Sequence, residues 1–162
     1  MIVISDTTPL IYLMKIESLN ILEKMYKEII IPKAVDDELI INMDYQSEID
    51  IIQNCRFLQT KIVKEDLSVA LLQKQLKLDL GESEAIVLAN NIDADLIIID
   101  ERKARRIAKD IGLNVTGNLG ILVEAKQRGL VKELKPLLDK LIKNDIRIGK
   151  KLYQDILELV NE

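Results

Sequence analysis

With 162 residues, 48% of them apolar and 31% charged, the chain is long enough for one domain with a substantial core and short for two. It has no histidine, which excludes Ser-His-Asp and Cys-His catalysis, histidine-based RNA cleavage and His-ligated zinc. Its one cysteine, Cys55, excludes an intramolecular disulfide and a thiolate zinc cluster, and a net charge of −4 argues against coating nucleic acid by bulk attraction while leaving room for a local basic patch.

The predicted elements alternate short apolar runs with amphipathic stretches. "MIVIS" reads as a strand, followed by helices over "PLIYLMKI" and "LNILEKMYK", the second opening after Ser18. "EIIIP" is a strand closed by Pro32, and "AVDDELIINM" puts Val35, Leu39 and Ile40 on one helical face with Glu38 beside them. "QSEIDIIQNC" is a short helix, "RFLQTKIV" an edge strand or a link, and "EDLSVALLQKQL" another helix. "LGESEAIVLANNI" is helical after Gly81 as a break, with Ala85, Leu88 and Ala89 at helical spacing.

"ADLIIID" is a continuous apolar strand ending in Asp100, and "ERKARRIAKDIG" a helix closed by Gly112. "LNVTG" is a short strand and "NLGILVEAKQRG" a helix with Gly129 after its end. "VKELKPLLDKLIKND" and "IGKKLYQDILELVNE" finish as amphipathic helices. Buried strands separated by helices imply an α/β fold with a mostly parallel sheet covered on both faces. One domain over residues 1–162 is expected, with C-terminal helices from about 130 onward. No signal peptide and no membrane span is expected, so the expected location is the cytoplasm.

In such sheets the site lies beyond the carboxyl ends of the strands. Asp6 follows the first strand, Glu38 lies in the helix after the second, Glu82 and Glu84 open "GESEAIVLA", and Asp100 follows "DLIII". Carboxylates gathered in one pocket repel each other, and a bound divalent cation relieves that repulsion. Oxygen-only ligands favour magnesium or manganese. With no histidine present, such a metal is the natural electrophile for a phosphodiester. Each residue also has a plainer role: Asp6 and Asp100 as helix N-caps, the glutamates as solvated charges. Thr7 and Thr8 offer hydroxyls to a metal-bound water or a phosphate oxygen, Thr7 alternatively capping a helix that starts at Pro9. Asn118 is either a polar ligand or the cap of its own helix.

In order along the chain, "VISDTTPLIYL", "IIIPKAVDDEL", "LGESEAIVLA", "LIIIDERKARRIA" and "VTGNLGIL" resemble the PIN-domain family, and within it the small prokaryotic PIN-like proteins related to VapC toxins of toxin–antitoxin pairs. The resemblance covers residues 1 to about 130. It implies an α/β/α sandwich and a metal-dependent ribonuclease in which Asp6, Glu38, Glu84 and Asp100 are the metal-binding acids and Mg²⁺ or Mn²⁺ the cofactor. Glu82 competes with Glu84 for the third place and Glu101 with Asp100 for the fourth. The third acid is a glutamate where many relatives carry aspartate, and Asn118 stands where a further acid sometimes helps.

The basic residues Arg102, Lys103, Arg105 and Arg106 open the helix beside the expected site and are candidates for RNA phosphates, or else a solvated face. The expected activity is an endoribonuclease. In a toxin–antitoxin pair its partner would be a small antitoxin covering the acidic cleft, and the resemblance also implies a homodimer. The alternative from another class is a catalytically silent PIN-like module that binds RNA or a protein. Phosphoryl chemistry on a small molecule ranks below both, because Thr8 stands where an aspartyl-phosphate site carries its second aspartate.

Overall fold

In the computed structural model, which describes residues 1–64 and 67–162, five short strands form one parallel sheet. They are β1 (Val3–Ser5), β2 (Ile29–Pro32), β3 (Leu58–Lys61), β4 (Leu96–Ile98) and β5 (Val115–Thr116). Their order across the sheet is β3-β2-β1-β4-β5. The apolar runs of β1, β2 and β4 are uninterrupted because both faces of these strands are covered, as a parallel sheet requires.

Successive side chains on a strand point to opposite faces, and the core divides accordingly. Val3, Ile29, Ile31 and Ile98 face one cluster, built from α1 (Thr7–Lys15), α2 (Asn20–Tyr26), α3 (Lys33–Ile41), α4 (Gln46–Gln53), α8 (Asn118–Gln127), α9 (Lys135–Lys143) and α10 (Lys150–Leu159). Ile4, Ile30, Ile97 and Ile99 face the other, built from α6 (Leu80–Asn91) and α7 (Arg102–Asp110), with α5 (Leu67–Lys74) against α6. The result is the α/β/α sandwich. Leu13 is fully buried in the first cluster, and truncating such a side chain to alanine costs about 2–5 kcal/mol through the cavity left behind.

The elements follow the expected order with shifted ends. Helix α1 starts at Thr7 rather than Pro9, because a proline in the first turn removes only an N–H that has no helical acceptor. Gly81 is not a break: α6 starts at Leu80 after Asp79, whose carboxylate accepts from the Glu82 amide at 2.7 Å while Glu82 accepts from the Asp79 amide at 3.1 Å. This reciprocal capping box fixes the helix start.

Of the two readings of "RFLQTKIV", the edge strand is correct, with β3 paired to β2. The first two residues of the helix expected over "EDLSVALLQKQL" lie outside the described residues. Strand β4 ends at Ile98, so Asp100 stands beyond it. Helix α9 begins at Lys135, with Pro136 in its first turn, not at Val131. Cys55 is half-buried against the first cluster, and burial pushes its thiol up to about 11. Among the described residues no helix is long and apolar enough to cross a membrane.

Candidate active site

From β1 the chain moves outward to β2 and β3, then returns to the other side of β1 with β4 and β5. The direction of winding therefore reverses between β1 and β4, which opens a crevice at their carboxyl ends. Asp6 stands on one side of this switch point and Asp100 on the other. The Asp6 amide donates to Ile98 O at 2.9 Å, tying the two strand ends together.

Asp6 holds the N-cap position of α1 with an extended backbone, yet its side chain makes no cap hydrogen bond. It is 3% exposed. Burial pushes its carboxyl up to about 7, with the negative charges of Asp79, Glu82 and Glu38 adding to the effect and the Thr7 amide partly offsetting it. A buried carboxylate without a positive partner is costly, so this residue is held where stability alone would not put it.

Glu38 reaches the crevice from α3. Thr7 Oγ1 donates to its Oε2 at 2.7 Å and the Gly81 amide donates to its Oε1 at 3.2 Å, so one carboxylate is clamped between α1 and α6. Glu82, on the first turn of α6, is buried; burial raises its pKa, and the charges of Asp79, Glu101 and Glu38 raise it further.

Glu84 goes elsewhere. Two residues along a helix turn a side chain by about 200°, and its Oε2 accepts from the Ala34 amide at 3.2 Å, beside a separate cavity lined by Lys64, Leu67 and Gln73. The structure therefore groups Glu82 with Asp6 and Glu38 and leaves Glu84 out. Asp79, which the sequence reading passed over, contributes charge to the same cluster. Its signal was present as the D-x-x-E spacing of "DLGE" before an apolar run.

Asp100 Oδ1 accepts from the Asn118 amide at 2.8 Å, while its Oδ2 is buried without a hydrogen-bond partner. Burial raises its pKa, offset by that amide and by the charge of Arg105. Arg105 donates through Nη1 to Ile99 O at 2.8 Å. Gly117 makes this arrangement possible, since a β-carbon there would stand 2.5 Å from Asp100 Oδ1. Helix α7 is capped not by Asp100 but by Glu101, whose carboxylate accepts from the Ala104 amide at 2.6 Å. Asn118 opens α8 without capping it: the side chain is buried, and neither Oδ1 nor Nδ2 has a partner.

Thr7 spends its hydroxyl on Glu38 and is buried, and Thr8 is half-buried beside it. Arg102, Lys103, Arg105 and Arg106, joined by Lys109, line a groove of about 500 Å³ together with Glu101. None of these five cations forms an ion pair among the described residues. Elsewhere Lys33, Lys135 and Lys151 are each paired within their own helix, and Arg128, just past the end of α8, is paired with Glu124.

Among the described residues no group of three or more Cys, Asp or Glu side chains is arranged to hold a metal ion as it stands. The donor set nevertheless suits a hard cation. It consists of oxygen ligands only, burial raises the pKa of Asp6, Glu82 and Asp100 alike, and Asp100 Oδ2 is an orphaned acceptor. A family model described as a PIN domain matches residues 2–162 of the chain. No curated protein and no solved structure matches it.

Proposed function

The chain belongs to the PIN-domain family, and on that premise we propose that it is a metal-dependent endoribonuclease that hydrolyses RNA phosphodiester bonds. The observation that carries this reading is the Asp6 carboxyl, buried at the switch point with Asp79, Glu82 and Glu38 as its charged neighbours and no cation among them. Such a group is a standing demand for positive charge. An electrophile for the phosphodiester and a water of lowered pKa are what Mg²⁺ or Mn²⁺ supplies when bound.

Asp6, Glu38, Glu82 and Asp100 are the residues that would hold the ion. We assign the third position to Glu82 because its charge acts on Asp6, whereas Glu84 is engaged with the Ala34 amide. Glu38 is oriented by Thr7 and Gly81 and arrives with both oxygens directed. Arg102, Lys103 and Arg106 bind the phosphates of the RNA, fixing its register without reading its sequence. Arg105, turned toward Ile99 O, moderates the charge of Asp100 instead. A small antitoxin, if the protein is the toxin of a pair, would cover this crevice.

A second reading, a catalytically silent PIN-like module, is favoured by the absence of a ready three-acid group among the described residues. Calorimetry with Mn²⁺ on the protein and on Asp6→Asn, with RNA cleavage followed in the same samples, separates the two. Binding and cleavage that both vanish in the variant support the nuclease. A protein that takes up no Mn²⁺ at millimolar concentration and leaves RNA intact is the silent module.

A further inference from the structure

Asp100 also lines a cavity of about 440 Å³ between α1, the start of α8 and the segment joining α9 to α10. Leu119 and Leu141 give it apolar walls, and Tyr12, Asn118 and Arg147 bring polar groups to it. These polar groups are unspent. Both side-chain atoms of Asn118 are buried without partners, and Arg147 makes no ion pair among the described residues although Asp145 lines the same cavity. Burial and the charge of Asp100 both raise the Tyr12 phenol, which puts its hydroxyl within the field of the site.

We propose that this cavity is a nucleotide subsite: it takes one unpaired nucleotide of single-stranded RNA beside the phosphate to be cleaved, the base against Tyr12 and the Asn118 carboxamide, the phosphate toward Arg147. The proposal rests on the nuclease reading for its place next to the reaction, because Asp100 forms a wall of the cavity.

Several features select this occupant. A carboxamide offers one donor and one acceptor side by side, the complement of a base edge, and sequence-specific RNA recognition works on unstacked bases read in this way. The volume falls in the range of sites that enclose a small ligand, with apolar walls and a few directed polar groups. An aromatic ring at the rim supplies a stacking partner whose value does not depend on the base. A buried amide with no partner is rare in a folded protein, and a ligand that satisfies it explains why Asn118 is tolerated there.

The test uses the full chain, a chelator to remove divalent ions, and the four nucleoside 5′-monophosphates, with binding followed by NMR chemical-shift titration. We expect saturable binding with one base preferred. Tyr12→Ala and Arg147→Ala should each weaken it at least tenfold, and Asn118→Ala should flatten the preference among the bases. Asn118→Ala removes only an unsatisfied amide, so it folds; Lys151→Ala, on the exposed face of α10, should bind as the parent does. On single-stranded RNA with metal restored, the same base should recur at one position next to the cleaved bond. No saturable titration, or binding indifferent to all three residues, overturns the subsite. Because the titration needs neither metal nor cleavage, a protein that cleaves but binds no mononucleotide loses only the subsite. One that binds but never cleaves loses the nuclease reading and keeps a nucleotide-binding cavity.

Discussion

The carboxylate of Glu38 rests on the backbone of Gly81: the amide donates to Oε1 at 3.2 Å, and a β-carbon at residue 81 would stand 2.7 Å from that same oxygen. Two helices distant in sequence are thereby locked through one acidic group, and the lock needs a residue without a side chain. Gly81→Ala should gain up to about 1 kcal/mol of helix propensity, which offsets part of the loss of the Glu38 hydrogen bonds, so thermal unfolding should show a midpoint close to the parent's. The cost falls on Glu38, which must swing away from Thr7. Mn²⁺ affinity by calorimetry and the initial rate of RNA cleavage should both drop by roughly an order of magnitude, the scale of losing one charge-assisted hydrogen bond. Unchanged affinity and rate would remove Glu38 from the site.

Stability of the metal-free protein should fall as pH rises, against the usual behaviour of carboxylates. The Asp6 carboxyl is raised from 3.8 to about 7, so between these values the folded state binds a proton that the unfolded chain releases. Its contribution is complete below about pH 4 and is lost as pH climbs through about 7. Glu82 and Asp100 are shifted in the same direction and add to the slope. Denaturant unfolding with a chelator present should give a stability lower at about pH 8 than at about pH 5, by a few kcal/mol in order of magnitude. Asp6→Asn should flatten most of that difference, and added Mg²⁺ should reduce it. A stability that rises over this window, or a slope untouched by Asp6→Asn, contradicts the burial of a carboxyl with no positive partner.

The two glutamates of "GESEA" separate cleanly by substitution. Glu82→Gln keeps the capping box, because glutamine at the third helical position still accepts from the Asp79 amide, while it removes one of the charges that raise Asp6. Folding should therefore be preserved or slightly improved at neutral pH, and metal-dependent cleavage should fall by about two orders of magnitude if the residue is a ligand. Glu84→Gln should leave cleavage within about twofold of the parent, since its partner is the Ala34 amide in a different cavity. The reverse pattern would return the third position to Glu84.

The parts of this site that the sequence makes legible are those that depend on period. Continuous apolar runs mark β1, β2 and β4, and the acids just after β1 and β4 stand at a sheet's carboxyl edge whatever the side chains do. The choice between Glu82 and Glu84 is different in kind. Both lie within one turn of α6, and only the exact helix start, set by the Asp79 cap, decides which one turns inward. The same holds for Asn118 and Arg105. Their roles follow from Gly117, which leaves room for Asp100 and Arg105 to meet the start of α8, and such a meeting of β4, α7 and α8 is a tertiary fact that no local pattern announces.

The cations of α7, none of them in an ion pair among the described residues, give the last prediction. Attraction to phosphates releases counterions, so the affinity for single-stranded RNA should fall steeply with salt, and each phosphate contact contributes roughly 0.7 to the slope of log affinity against log salt. Arg102→Ala and Arg106→Ala should each weaken binding by a similar factor for every RNA sequence and lower the slope by about that amount, as expected for cations that contact backbone rather than bases. Both residues are exposed, so neither variant should alter folding. Arg105→Ala should behave differently. Its guanidinium is already bound to Ile99 O and offsets the charge of Asp100, so its loss should raise the Asp100 pKa further and move the pH profile of metal binding upward with little change in salt slope. Fluorescence anisotropy across a salt series, with the same three proteins titrated with Mn²⁺ at several pH values, checks both halves. Three indistinguishable variants would mean that α7 is a uniformly solvated helix and that the RNA approaches from elsewhere.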